Sequence, residues 1–193
     1  MLQQEFLKSM RYLAASVSII SAKDSNDKPY AMTASSVTSL TLEPPSILVC
    51  VNHDASIHDH LLNDEAKFCV NLLKKNQQDI ATLCSIKEKE DQRFEDKNWN
   101  LDSVPFLQGS QSNLFCNVKK YLDYETHTII IGEVYKSHND DDFDTLMYAN
   151  GKYSELIKII LIFVVMCLVC IINVSFAWRR NRTSGICNLS KKW

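Results

Sequence analysis

Two short stretches hold the residues best able to do chemistry. The first is Met32 to Leu42, MTASSVTSLTL, in which Thr33, Ser35, Ser36, Thr38, Ser39 and Thr41 are interleaved with Ala34, Val37, Leu40 and Leu42. Small side chains let a backbone approach an anion, and hydroxyls can donate to its oxygens, so this run could cradle a phosphate. It could equally be a half-exposed edge strand rich in Ser and Thr, and the pattern alone leaves both readings open. The second stretch is Asn52 to Asp64, NHDASIHDHLLND, with His53, Asp54, His58, Asp59 and His60. These are metal-ligand types. The stretch reads as a loop and then a short helix from Ile57 to about Asn63, on which His58 and His60 point to different faces. The paired-His spacing of helical zinc sites is absent, so no metal site is expected.

The surrounding chain must position these residues. Gln3 to Ala15 places Phe6, Met10 and Leu13 at helical spacing, an amphipathic first helix. Val17 to Ala22 reads as a strand, and Asp24 to Pro29 as a polar turn. Pro44 and Pro45 end the hydroxyl-rich run, because neither can donate a backbone N–H. Ile47 to Val51 follows as an apolar strand buried on both faces. Ser56 stands three residues before Asp59, the spacing of a capping box. Lys67 to Leu73 reads as a strand and Gln77 to Ser85 as a helix. Ile86 to Asn100 is highly charged, a surface segment pinned by Phe94 and Trp99. Ser112 to Leu122 and Thr126 to Tyr135 are strands, the second apolar enough to be central, and Leu146 to Leu156 closes the body. Many short strands with few helices predict a mainly β fold, a barrel with peripheral helices.

Composition removes several classes. Residues 1–156 carry 15 basic and 23 acidic side chains, a net −8, whereas residues 157–193 carry six basic and no acidic ones. A body this acidic is a poor partner for nucleic acid. The four glycines, Gly109, Gly132, Gly151 and Gly185, spell neither a dinucleotide-binding glycine turn nor a P-loop. Cys50, Cys69, Cys84 and Cys116 sit mostly among apolar residues and read as buried free thiols of a reducing compartment. Met1 to Tyr12 contains Glu5 and lacks the apolar core of a secretory signal.

The order of segments carries more. FLKSMRYLAASVSIISA, AMTASSVTSLTLEPPSILVCVN, ASIHDHL, FCVNLL, RFEDKNW, HTIIIGEV and LMYANGKYSEL together resemble the flavin reductase-like, FMN-binding split-barrel family. They look closest to the reductase components of two-component flavin monooxygenases, such as that for 4-hydroxyphenylacetate. The resemblance implies a homodimer of split β-barrels that binds FMN or FAD and reduces it with NADH or NADPH. The reduced flavin would then pass to a partner monooxygenase. Carried over by position, Thr33, Ala34, Ser35 and Ser36 would hold the flavin phosphate and ribityl chain, with Asn52 and Ser56 completing that site. His127 and Arg93 would lie on the nicotinamide side. Ala31 stands where a glycine is common, Gln92 where an acid precedes the arginine, and Glu125-Thr126 where Gly-Asp precedes the histidine.

Hydride transfer from nicotinamide C4 to flavin N5 needs positioning more than acid–base help, which suits a chain with no nucleophile–base motif and no assigned catalytic residue. The other function class is a split-barrel protein that holds flavin or haem without turning over nicotinamide. A third is a membrane-tethered electron donor. The last concerns the tail. The resemblance runs from about Gln3 to Leu156, which makes residues 1–156 one domain and leaves 157–193 as a separate segment. Ile159 to Trp178 is twenty residues without a charge, about 30 Å as a helix and long enough to cross a bilayer. It reads as a C-terminal apolar helix that would anchor a cytoplasmic catalytic domain, although the basic flank after Trp178 points the other way under the positive-inside rule. A helix buried in an oligomer and a translated run-on are the other two readings.

Overall fold

The computed structural model describes residues 1–63 and 66–155. Helix α1 (Leu2–Arg11) leads into β1 (Ala15–Ser16), β2 (Ser18–Lys23), β3 (Pro29–Ala34), β4 (Val37–Leu42) and β5 (Pro45–Asn52). A 3-10 turn at His58–Leu61 precedes β6 (Lys67–Leu72), and α2 (Gln78–Ser85) follows. A second 3-10 stretch, Lys87–Gln92, leads to β7 (Trp99–Asn100) and β8 (Phe106–Leu107). The long hairpin of β9 (Ser112–Tyr124) and β10 (His127–Asn139) comes next, then β11 (Leu146–Ala149) and β12 (Lys152–Glu155).

Seven strands make one antiparallel sheet in the order β3-β2-β6-β9-β10-β5-β4. Its two edge strands, β3 and β4, are consecutive in the chain and joined by Ser35 and Ser36 alone. The three steps from Ala34 to Val37 reach only about 10 Å, so the sheet must curl until its edges approach. The inside of the curl is packed by Ile20, Val49, Val51, Phe68, Val70, Val118 and Ile130. Strand alternation explains the choice: these are the inward positions of β2, β5, β6, β9 and β10. Gly132 lies under Phe68, where a Cβ would stand 2.5 Å from the ring. A second core joins α2 to the sheet through Val17, Ile19, Leu73, Ile80 and Trp99.

One polar network crosses that interior. Asn71 donates to the Ile19 carbonyl at 2.9 Å and to Ser21 Oγ at 3.0 Å. Its own oxygen accepts from the Leu107 backbone and the Asn113 amide, both at 2.8 Å. Ser21 in turn donates to the Pro105 carbonyl. Every bonding position of the buried amide is used, and β8 is tied to the sheet through it.

Several expectations are corrected. Met32 to Leu42 is two strands with a turn at Ser35-Ser36, because small polar residues release the ladder there. Pro45 begins β5 rather than ending an element. Ile47 to Val51 is buried on one face only, with Leu48 and Cys50 half exposed on the other. Predicted from Ile57 to Asn63, the helix shrinks to the 3-10 turn His58–Leu61, and Ser56 makes no cap. Helix α1 stops at Arg11 and buries none of its residues. The charged segment after Ile86 folds inward at its centre, where Arg93 is only 5% exposed. Its guanidinium donates to the carbonyls of Ala31 at 2.6 Å and Ile86 at 2.9 Å, and its own carbonyl accepts from the Trp99 indole. The apolar run 159–178 lies outside the described residues. Among the described residues, no helix is long and apolar enough to cross a membrane.

Candidate functional site

The curl of the sheet brings the hydroxyl-rich turn against the end of β5. Ser36 Oγ donates to the Cys50 carbonyl at 3.0 Å and accepts from the Cys50 backbone N–H at 3.3 Å, so this hydroxyl closes the turn onto β5. Ser35, beside it, is exposed and makes no side-chain hydrogen bond among the described residues. Asn52 is two residues further along β5, about 7 Å on. Its Oδ1 accepts from the Asp54 N–H at 2.8 Å, which starts the loop that carries Ser56. Ser56 is half buried, and its hydroxyl also lacks a partner among the described residues.

His127 pairs directly with Asn52 across β10 and β5. Cross-strand partners share a face, so both point away from the packed interior. The same outer face continues along β5 as Cys50 and Leu48, and along β10 as Ile129 and Ile131, all half exposed. The result is an apolar strip bounded at one end by Ser36, Asn52 and His127. Such a strip suits a flat aromatic ring system, with polar groups at its end for the attached chain. The turn that sets His127 is Glu125-Thr126, with Glu125 in the left-handed region at φ 53 and the Thr126 hydroxyl 2.9 Å from His127 Nδ1.

Not every expected residue faces this strip with a free group. Thr33 is on β3 and donates its hydroxyl to the Ala81 carbonyl, which ties α2 to the sheet. Ala34 is buried, at 6% exposure, in the core beneath the turn. Arg93 spends two donors on backbone carbonyls, and its Nε is buried without a partner. One of those carbonyls belongs to Ala31, two residues before Thr33, so Arg93 holds β3 in place. The structure therefore brings together Ser36, Asn52 and His127, with Ser35 adjoining Ser36 in the turn and Ser56 four residues beyond Asn52, while Thr33, Ala34 and Arg93 are engaged in holding the fold.

Sequence reasoning passed over the apolar strip, although its signal was present in the alternation of LVCVN against HTIII. On the inner side of the same strand ends, two of the histidines weighed and set aside above meet residues from elsewhere in the chain. There Thr128, fully buried, is surrounded by His53, His58 and Asp123. Asp123 lies some seventy residues from the histidines, so no spacing rule could have joined them. The buried thiols are not reactive groups: burial pushes Cys84 and Cys116 up to about 12, and Cys69 upward as well.

Comparison with known proteins agrees with this architecture. The flavin reductase-like domain matches residues 10–156, so the chain belongs to that family. It is 32% identical over 153 residues to the reductase component of the FADH2-dependent resorcinol hydroxylase of a Rhizobium species, covering 78% of this chain and 85% of that one. It is 31% identical over 156 residues to the FMN reductase (NADH) RutF of Pseudomonas syringae, covering 80% and 86%. Among solved structures it matches BorF, the flavin reductase component of a bacterial two-component tryptophan halogenase, at 28% identity. That superposition has a TM-score of 0.72 and covers 80% of this chain and 98% of BorF.

Proposed function

We propose that the chain is an NAD(P)H-dependent flavin reductase that transfers hydride to FMN or FAD and supplies reduced flavin to a partner monooxygenase. The observation that carries the reading is the half-exposed strip Leu48, Cys50, Ile129 and Ile131, closed at one end by Ser36, Asn52 and His127. The flavin ring would lie along the strip. Ser35 and Ser56 offer free hydroxyls, and Ser36 and Asn52 polar atoms, to its phosphate and ribityl chain. His127 would face the nicotinamide, and Arg93 would act by holding β3. Bound flavin would supply the redox chemistry, and the strip with its polar end would position the ring for hydride transfer. Neutral hydroxyl contacts also suit a flavin that must leave for another protein. The relatives' use of NADH and of FMN or FAD supports the same substrates here.

The curled sheet is the split β-barrel of this reading, and residues 1–156 are the working domain, with 157–193 appended to it. A homodimer belongs to it too. Every residue of α1 is unburied, and Leu40 and Leu42 of edge strand β4 are 48% and 86% exposed. A second copy would cover such surface and wall the open strip. Dependence on NADH or NADPH supports a cytoplasmic location for this domain.

The test is direct. The purified chain is mixed with FMN or FAD, then with NADH or NADPH, without oxygen. Bleaching of the visible flavin band by one pair is the expected result and names both cofactors. Flavin binding with no bleaching by either nucleotide would overturn the reductase reading in favour of a flavin-holding module.

A further inference from the structure

The cluster beneath the strand ends gathers three metal-ligand side chains around one buried hydroxyl. Thr128 Oγ1 lies 2.8 Å from His58 Nε2, 3.2 Å from His53 Nε2 and 2.5 Å from Asp123 Oδ1. His58 Nδ1 lies 2.8 Å from Asp59 Oδ1. A carboxylate only accepts, so Nδ1 donates to Asp59, which leaves Nε2 as the ring atom turned toward Thr128 and available to a metal. The Thr128 hydroxyl has one proton. It can therefore donate to Asp123 or to His58 but not to both. His53 Nε2 adds another nitrogen to the same point, 3.7 Å from Asp123.

We infer that His53, His58 and Asp123 form a binding site for a divalent transition metal of the zinc class, with the Thr128 hydroxyl beside it. The ligand atoms His53 Nε2, His58 Nε2 and Asp123 Oδ1 lie within 4.8 Å of one another. Tetrahedral bonds of about 2.0–2.2 Å place ligands roughly 3.4 Å apart, so only small movements are needed. His53 and Asp123 can make them, because their side chains are 37% and 64% exposed. His58 is fixed, at 7% exposure. The Asp59–His58 pair is the outer arrangement that metal-bound histidines commonly have, a carboxylate that sets the tautomer and orients the ring. Two imidazoles and one carboxylate select a borderline metal over calcium or magnesium. One coordination position stays open to water. The site would tie the loop after β5 to the turn between β9 and β10. Those segments carry Asn52, Ser56 and His127, yet the metal site stands without any role for them in flavin binding.

The test uses the full chain, stripped with a chelator and dialysed. Zinc is titrated by calorimetry, cobalt(II) is followed by its visible spectrum, and thermal unfolding is read with and without zinc. One equivalent should bind, cobalt should give tetrahedral bands without thiolate charge transfer, and zinc at a hundred times its Kd should raise Tm by roughly 5–10 °C. His53→Ala and Asp123→Asn, both at exposed positions, should each abolish all three signals. His60→Ala, whose ring stacks on Tyr30 instead, should keep them. Absence of stoichiometric binding, binding unchanged in the two variants, or a cobalt spectrum dominated by thiolate charge transfer would overturn the site.

Discussion

Two polar regions of this molecule behave in opposite ways. Around Asn71, inside the curled sheet, every donor and acceptor of the amide is matched within 3.0 Å. At the outer end of β5, Ser35 and Ser56 have hydroxyls unmatched among the described residues, and His127 is exposed. Both regions are built from small polar side chains on neighbouring strands. The buried one has no water to fall back on, so unmatched atoms there would cost stability directly. The rim is open, so its groups can stay unmatched until something arrives. The difference separates polar residues that hold the fold from polar residues that wait for a ligand.

Substitutions can break this contrast. Asn71→Leu should have the largest effect, because it strands the Leu107 N–H and the Ile19 carbonyl at once. The expected loss is about 3 kcal/mol, read as a lower midpoint in chemical denaturation, and a loss under 1 kcal/mol would mean that the network is not structural. Gly132→Ala should follow, at about 2 kcal/mol, since the new methyl must displace the Phe68 ring. At the rim the sign of the effect moves from folding to activity. Ser35→Ala should leave the unfolding midpoint within about 0.5 kcal/mol of the parent, yet raise the flavin Kd about tenfold. His127→Ala should lower kcat/KM for the nicotinamide about tenfold while flavin affinity holds. A large drop in stability from either would place these residues with the interior instead. The smallest effect belongs to Lys74 and Asp140, 2.6 Å apart at the surface. Their hydrogen bond holds the Asp140 carboxyl below its ordinary 3.8. The folded pKa is depressed, so the pair's support is complete above about pH 4 and fades as pH falls through the folded value. In Asp140→Asn the Tm difference from the parent should therefore shrink toward zero at low pH.

The strongly apolar elements were legible in the sequence. HTIIIGEV is central, between β9 and β5, and FCVNLL and the helix after Gln77 fall within a residue or two of expectation. The break at Ser35-Ser36 was not legible. Those residues have the same character as the strands on either side, and only the pairing of Val37 with Val49 shows where the ladder resumes. Arg93 was misread because its neighbours are charged and exposed. What draws it inward is a pair of backbone carbonyls from other segments, and local composition carries no trace of them. The rim residues came from resemblance rather than pattern, and the structure divides them into those with free groups and those already engaged. Asp123 and Thr128 could not be joined to His53 and His58 without the pairing of β9 with β10.

The buried thiols bear on durability. Reduced flavin that escapes into aerated solution reacts with oxygen and yields hydrogen peroxide, so a protein that makes it works beside its own oxidant. Peroxide attacks the thiolate, and a group whose pKa is near 12 has almost none at neutral pH. Cys84 and Cys116, with Cys69 beside them in the interior, are thereby screened from over-oxidation by burial alone. Among the described thiols, half-exposed Cys50, on the strip itself, lacks the shelter of burial and is the one most open to oxidation.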